Sequence, residues 1–239
     1  MVVKSELKLI KSLQQKKYRN VHGLFVMEGK KAVEEVLSSH FKAFRIYTAK
    51  GNELLDGAEK SVLVTQKELQ QMSGLKNPNG VLGVFHIPKP LPMRTDNWIL
   101  VLDGIQDPGN LGTMIRLCDW FGITNMVCST NTVDRYNPKV LQATMGAITR
   151  VDILYTDLVD FLKSTSLPVY GSFMEGDAVY DKVLPQKGIL VMGNEGNGIS
   201  KEVSGLCKDT LGIPQYGKTT GESLNVATAT AILLNEIRR

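Results

Sequence analysis

Apolar and polar positions alternate in two rhythms along this chain, and the rhythm changes near residue 97. Before it the apolar runs are short. Leu24-Phe-Val reads as a strand, as does the alternating Phe44-Arg-Ile-Tyr. Ala32, Val33, Val36 and Leu37 fall on one helical face with Glu34 and Glu35 opposite. Ser5 is positioned to cap a first helix carrying Leu9, Ile10 and Leu13. Ser61-Val-Leu-Val predicts a strand ending at Thr65, and Thr65-Gln-Lys-Glu68 is a capping box before Leu69 and Met72. Val81 to Ile87 predicts a last strand, and Pro88-Lys-Pro-Leu-Pro92 stops regular structure. These signals outline a small α/β domain over residues 1–87 and a linker over 88–96.

From Asn97 onward the strands are continuously apolar, as strands buried on both faces are. Trp98-Ile-Leu-Val-Leu-Asp103 enters Gly104-Ile-Gln-Asp-Pro-Gly-Asn-Leu-Gly112, and a helix follows through about Phe121. Ile189-Leu-Val-Met enters Gly193-Asn-Glu-Gly-Asn-Gly198, with Ser200 as a candidate cap. A third apolar segment enters Gly212-Ile-Pro-Gln-Tyr-Gly-Lys-Thr-Thr-Gly-Glu-Ser-Leu-Asn225, and Leu224 to Ile237 leaves it with helical spacing. Three polar, glycine-bearing bends after three buried strands predict an α/β domain with its ligand at the carboxyl ends of the strands. Each bend alone is ordinary turn chemistry.

The third bend fits a second reading. Gly212 to Thr219 satisfies G-x-x-x-x-G-K-[ST], the phosphate loop of nucleotide hydrolases. Against this, Gly221 follows Thr219 and the apolar period begins only at Leu224. A phosphate loop needs its helix to start at the Lys-Thr, and Pro214 removes one amide donor.

The residues of the first reading carry a family resemblance. Asp103 to Arg116, Val191 to Gly198, and Ile213-Pro214 with Glu222 to Ala227 resemble the three ordered motifs of the SpoU/TrmH RNA 2′-O-ribose methyltransferases of the SPOUT superfamily. Asn137 to Ala147 also resembles the segment between the first two motifs. The resemblance implies a trefoil-knotted α/β domain over 97–239, S-adenosylmethionine as methyl donor, and a homodimer. Carried onto this chain, it implies Gly193, Ile213, Leu224 and Ser223 at the donor and Arg116, Asn110, Glu195 and Asn225 at the reaction. Arg116 would anchor a phosphate or stabilise the developing alkoxide, with Glu195 as its carboxylate partner. Tyr18-Arg-Asn and Gly23 to Gly29 resemble the family's L30e-like RNA substrate-binding domain.

Charge adds a partner. The first fifty residues hold eleven Lys/Arg and four Asp/Glu, a local balance of +7 against +4 overall. Such asymmetry points to a polyanion. Beside the resemblance, it predicts RNA contact by Lys16, Lys17 and Arg19, within a cluster that includes Lys4, Lys8 and Lys11. Ribosomal RNA is the expected substrate, with transfer RNA open. Cys118, Cys128 and Cys207 have no metal-ligand spacing, and His22, His40 and His86 lie outside the three bends. No metal is expected. The charged start lacks a secretory signal, and no apolar stretch has the length of a membrane span, so a cytoplasmic protein is expected. The competing classes are the phosphate-loop hydrolase and a non-catalytic RNA-binding protein; intact Asn110, Arg116, Glu195 and Asn225 weigh against the latter.

Overall fold

The structure, a computed structural model, describes residues 2–52, 61–217 and 223–239. The chain divides into two compact units: residues 1–89 with 134–149, and residues 90–133 with 150–239.

The first unit opens with α1 (Lys4–Ser12) and α2 (Lys16–His22). Val3, not Ser5, stands at the N-cap of α1, which has no side-chain cap. The helix begins two residues earlier than the Ser5 signal predicts, so that serine lies inside its first turn. Then follow β1 (Leu24–Glu28), α3 (Lys30–Leu37), β2 (Ala43–Ala49), β3 (Ser61–Val64), α4 (Gln66–Met72) and β4 (Val81–His86). The sheet runs β1-β4-β2-β3; β4 is antiparallel to both neighbours and β3 is parallel to β2. The period-two pattern of β1 sends Leu24 and Val26 into a core with Ile10, Leu13, Leu69 and Met72. Phe25, from the opposite face of β1, packs against Phe41, Phe85 and Tyr136. The capping box at the head of α4 is complete: Thr65 Oγ1 accepts from the Glu68 amide, and the Glu68 carboxylate accepts from the Thr65 amide.

The second unit carries a six-stranded sheet. Its strands β5 (Ile99–Leu102) and β6 (Asn125–Ser129) are joined by α5 (Pro108–Trp120). The chain then contributes α6 (Pro138–Thr144) and a 3₁₀ turn (Ala147–Thr149) to the first unit. It resumes with β7 (Asp152–Thr156), α7 (Leu158–Ser164), β8 (Val169–Ser172), β9 (Ile189–Met192), α8 (Lys201–Ser204), β10 (Asp209–Leu211) and α9 (Val226–Arg238). All its strand pairs are parallel, in the order β10-β8-β9-β5-β6-β7. Every residue of β5, β6 and β9 is buried, which is why their sequences show no alternation. The connections from β5 and from β9 run to opposite sides, so these two neighbours form the switch point where α/β sheets open a crevice.

Candidate functional site

The first bend is built by a tight helix start. Asp107 is the N-cap of α5: its side chain accepts from the Asn110 amide at 2.8 Å, and Pro108 fills the first helical position. The helix therefore begins inside the Gly104–Gly112 loop, earlier than the glycines suggest. Asn110 lands on its first turn.

Leu102 pairs with Met192 at the ends of β5 and β9, so the first two bends emerge side by side. The second bend doubles back on itself. Asn194 and Gly198 exchange backbone hydrogen bonds of 2.9 and 3.0 Å. Gly198 adopts φ +67°, a conformation costly to residues with a Cβ. A Cβ on Gly193 would lie 2.2 Å from the Gly198 carbonyl carbon, so only glycine fits this close approach of backbone to backbone.

Glu195 projects from this bend toward the head of α5. Its carboxylate accepts from Asn110 Nδ2 at 3.0 Å and from the amides of Gln106 and Asp107, each at 3.2 Å. Partial burial works against the charge, but the hydrogen bonds from Asn110 and the backbone outweigh it and hold its pKa below the usual carboxylate range. Asn225 joins the third bend to the same network. It caps α9 by accepting from the Ala227 and Thr228 amides, and its Nδ2 donates to Asn110 Oδ1 at 3.0 Å. One side chain, Asn110, thus bridges the second and third bends.

A cleft of about 690 Å³ opens beside this network, within the range of small-molecule sites. Gly193, Glu195, Ile213, Ser223, Leu224 and Asn225 all line it. Met174 and Leu224 are more than half exposed there. Apolar side chains beside glycine backbone suit an adenosine, whose faces want hydrophobic contact and whose edge wants N–H and C=O groups.

Arg116 lies elsewhere. It is exposed on α5, six residues beyond Asn110, and is not among the cleft-lining residues. The expected Arg116–Glu195 pair is absent among the described residues: Glu195 is already taken up by Asn110 and the amides at the head of α5. Asn225 caps the last helix.

Arg19 is not available to RNA either. Its side chain is 3% exposed and paired with Asp134, and Nη1 donates to the carbonyls of Leu13 and Gln14 at 2.9 Å. The basic run gave no sign of this, because its acidic partner is 115 residues away. Lys16 and Lys17 are exposed.

The phosphate-loop reading is disfavoured at the start of its motif. The Gly212 amide is bound to Asp177 O at 2.7 Å, and the described helix that follows, α9, begins at Val226. Lys218 and Thr219 lie outside the described residues.

Residues 97–235 match the SpoU rRNA Methylase family. The chain belongs to that family. Residues 4–83 match the MRM3-like substrate binding domain. Among similar SpoU relatives is the 23S rRNA (guanosine(2553)-2'-O)-methyltransferase RlmP of Bacillus subtilis (strain 168), 31% identical over 95% of this chain and 94% of its own length. A TrmH-family protein from Porphyromonas gingivalis is 36% identical, with a TM-score of 0.91 over 100% of this chain and 99% of its own. An AdoMet-bound rRNA methyltransferase from Sinorhizobium meliloti is 27% identical, with a TM-score of 0.86 over 100% and 97% of the two chains.

The motifs of this SpoU chain assign no role to Asn194 or Gln106, yet both anchor the first bend. Asn194 Nδ2 donates to Gly104 O at 2.6 Å, and Gln106, within the bend, donates from Nε2 to Asn131 O at 2.7 Å. Among the described residues no three His, Cys, Asp or Glu side chains converge as metal ligands. No described helix is long and apolar enough to cross a membrane.

Proposed function

We propose that the cleft of the second unit seats S-adenosylmethionine and that the protein transfers its methyl group to a ribose 2′-hydroxyl of structured RNA, ribosomal RNA before transfer RNA. The observation that carries this reading is the chain Asn225–Asn110–Glu195, which ties all three motif bends together at one cleft. The SpoU relatives named above, one an rRNA 2'-O-methyltransferase and one an AdoMet-bound rRNA methyltransferase, support the same chemistry.

When bound, the cofactor supplies an electrophilic methyl group on a sulfonium. Gly193, Ile213, Leu224 and Ser223 would hold it, with the two apolar side chains against the adenine faces. Asn110, Glu195 and Asn225 spend their polar groups on one another and on helix-start amides. They therefore act by fixing the geometry in which hydroxyl and methyl meet, a contribution that reaches roughly 7–11 kcal/mol in well-aligned reactions. Arginine keeps its proton at ordinary pH. Arg116 therefore serves as phosphate anchor or alkoxide stabiliser rather than as base.

Arg116 stands outside the cleft lining, and the proposal adds a second copy of the chain on its face of α5. Thr113, Arg116 and Trp120 share one exposed stripe of α5, with Trp120 84% exposed. A homodimer covering this stripe would present Arg116 to the partner's cleft. The trefoil knot and a cytoplasmic location, where rRNA substrates reside, complete the proposal.

In the first unit, α1 places Lys4, Lys8 and Lys11 within an arc of about 60° at 100° per residue. All three are exposed, and none is held in an ion pair among the described residues. With Lys16 and Lys17 they form the RNA-facing surface in place of Arg19.

Calorimetry with S-adenosylhomocysteine and GTP in parallel tests the cofactor. Mapping 2′-O-methyl sites in total RNA from cells lacking the gene tests the substrate. Binding of GTP alone, or an unchanged methylation map, would overturn the corresponding half of the proposal.

A further inference from the structure

We infer that Asn194 is a positioning residue for methyl transfer, clasping the cofactor-side bend to the turn that launches α5. The inference rests on the methyltransferase reading and adds a residue to its machinery.

A carboxamide has two chemically different ends, and here each end serves a different loop. Asn194 Oδ1 accepts from the amides of Gly196 and Asn197 at 2.9 and 3.0 Å, which shapes the second bend from within. Nδ2 turns the other way. It donates to Gly104 O at 2.6 Å and lies 3.4 Å from Glu195 Oε2. Gly104 is 90 residues away in sequence and immediately follows β5 and Asp103. The same junction is closed from below, where the Ser200 amide donates to Asp103 Oδ2 at 2.8 Å. That lower contact holds the stem of the bend. The Asn194 contact holds its tip, where Glu195 is carried.

The consequence runs along the network. Glu195 meets Asn110 only if the tip of the bend stays over the head of α5. Asn110 in turn is the acceptor for Asn225. Releasing the clasp frees the tip and unsettles Asn110 and Asn225, the groups that align the reaction. Asn194 lines the cleft too, but its Nδ2 bonds Gly104 and Glu195 and makes no hydrogen bond to the apolar walls Ile213 and Leu224. Cofactor binding and turnover should therefore separate.

Two substitutions isolate the donor end. Asn194→Asp keeps an acceptor for the Gly196 and Asn197 amides but sets oxygen against the Gly104 carbonyl and the Glu195 carboxylate. Asn194→Ser keeps a local acceptor for the bend without charge, since serine supports the same kind of turn more weakly, and it is too short to reach Gly104. For the full-length protein, S-adenosylhomocysteine affinity is measured by calorimetry. Turnover is measured on ribosomal RNA from cells lacking the gene, at saturating S-adenosylmethionine.

The expected result is a kcat lowered about 10- to 100-fold, the scale of an ångström misplacement, with affinity for S-adenosylhomocysteine within about 3-fold of wild type. If Asn194→Asp does not fold, Asn194→Ser decides. Turnover within about 3-fold of wild type, or cofactor affinity falling in step with kcat, overturns the clasp. A wild-type protein that neither binds S-adenosylhomocysteine nor methylates the RNA overturns the methyltransferase reading itself, and the role of Asn194 with it.

Discussion

Removing Arg19 separates a structural arginine from an RNA-binding one. The residue sits in a basic run, yet its guanidinium is withdrawn from water and fully engaged. Nε donates to Asp134 Oδ2 at 3.2 Å, Nη2 closes the fork on the same oxygen, and Nη1 serves two carbonyls at the end of α1. Arg19→Ala strands a carboxylate that is only 17% exposed and leaves the Leu13 and Gln14 carbonyls without their donor. Breaking one side of a buried pair costs about 3–5 kcal/mol. For a unit of this size, each kcal/mol moves the melting temperature by about 4–8 °C. The transition of the first unit should therefore fall by at least about 12 °C. Lys16→Ala, on the exposed surface of the same helix, should change stability by no more than about 0.5 kcal/mol. The assay is thermal and urea unfolding of Arg19→Ala, Asp134→Ala and the double variant, with RNA binding followed against salt. The single losses should be strongly non-additive, because either one disables the same contact. An Arg19→Ala protein as stable as wild type, with weaker and less salt-dependent RNA binding, would refute the reasoning.

Replacing Lys4, Lys8 and Lys11 by Ala together should weaken RNA binding and flatten the slope of log K against log salt by about 2–3, as three lost phosphate contacts require; an unchanged slope clears α1 of that role. Gly193→Ala should weaken S-adenosylhomocysteine about 10- to 100-fold, since overpacking a closed site costs about 1–3 kcal/mol; calorimetry reads it. Arg116→Lys should lower kcat at least 10-fold while leaving cofactor affinity unchanged, because lysine lacks the bidentate fork; near-normal turnover defeats the bidentate role. The Glu68 carboxylate is held at about 2 by hydrogen bonds from Thr65 and Val2. Its folded value lies below the unfolded one of about 4.3, so its stabilisation is present above that pH and is lost as pH falls from there toward 2. Glu68→Gln should flatten the stability–pH curve over that acid window, as urea titrations at stepped pH would report.

Most elements were legible because local patterns dictate them. The capping box at Thr65 and the continuous apolar runs of β1, β5 and β9 are short-range signals, and the structure follows each. The candidate site was legible as residues rather than as contacts. Glycine-bearing bends after buried strands marked where a cleft opens, and Gly193, Ile213, Leu224 and Asn225 do line it.

Pairing was not legible. Glu195 and Arg116 are complementary charges, and Arg19 stands among lysines. Only the fold decides that Glu195 meets Asn110 while Arg19 meets Asp134. For the segments read from their pattern, the sequence by itself determined helix, strand or bend, because backbone sterics and hydrophobic period act within a few residues. The tertiary structure alone decided which polar group satisfies which. A hydrogen bond needs its partners within about 3 Å, and the partners here lie 85 to 115 residues apart along the chain.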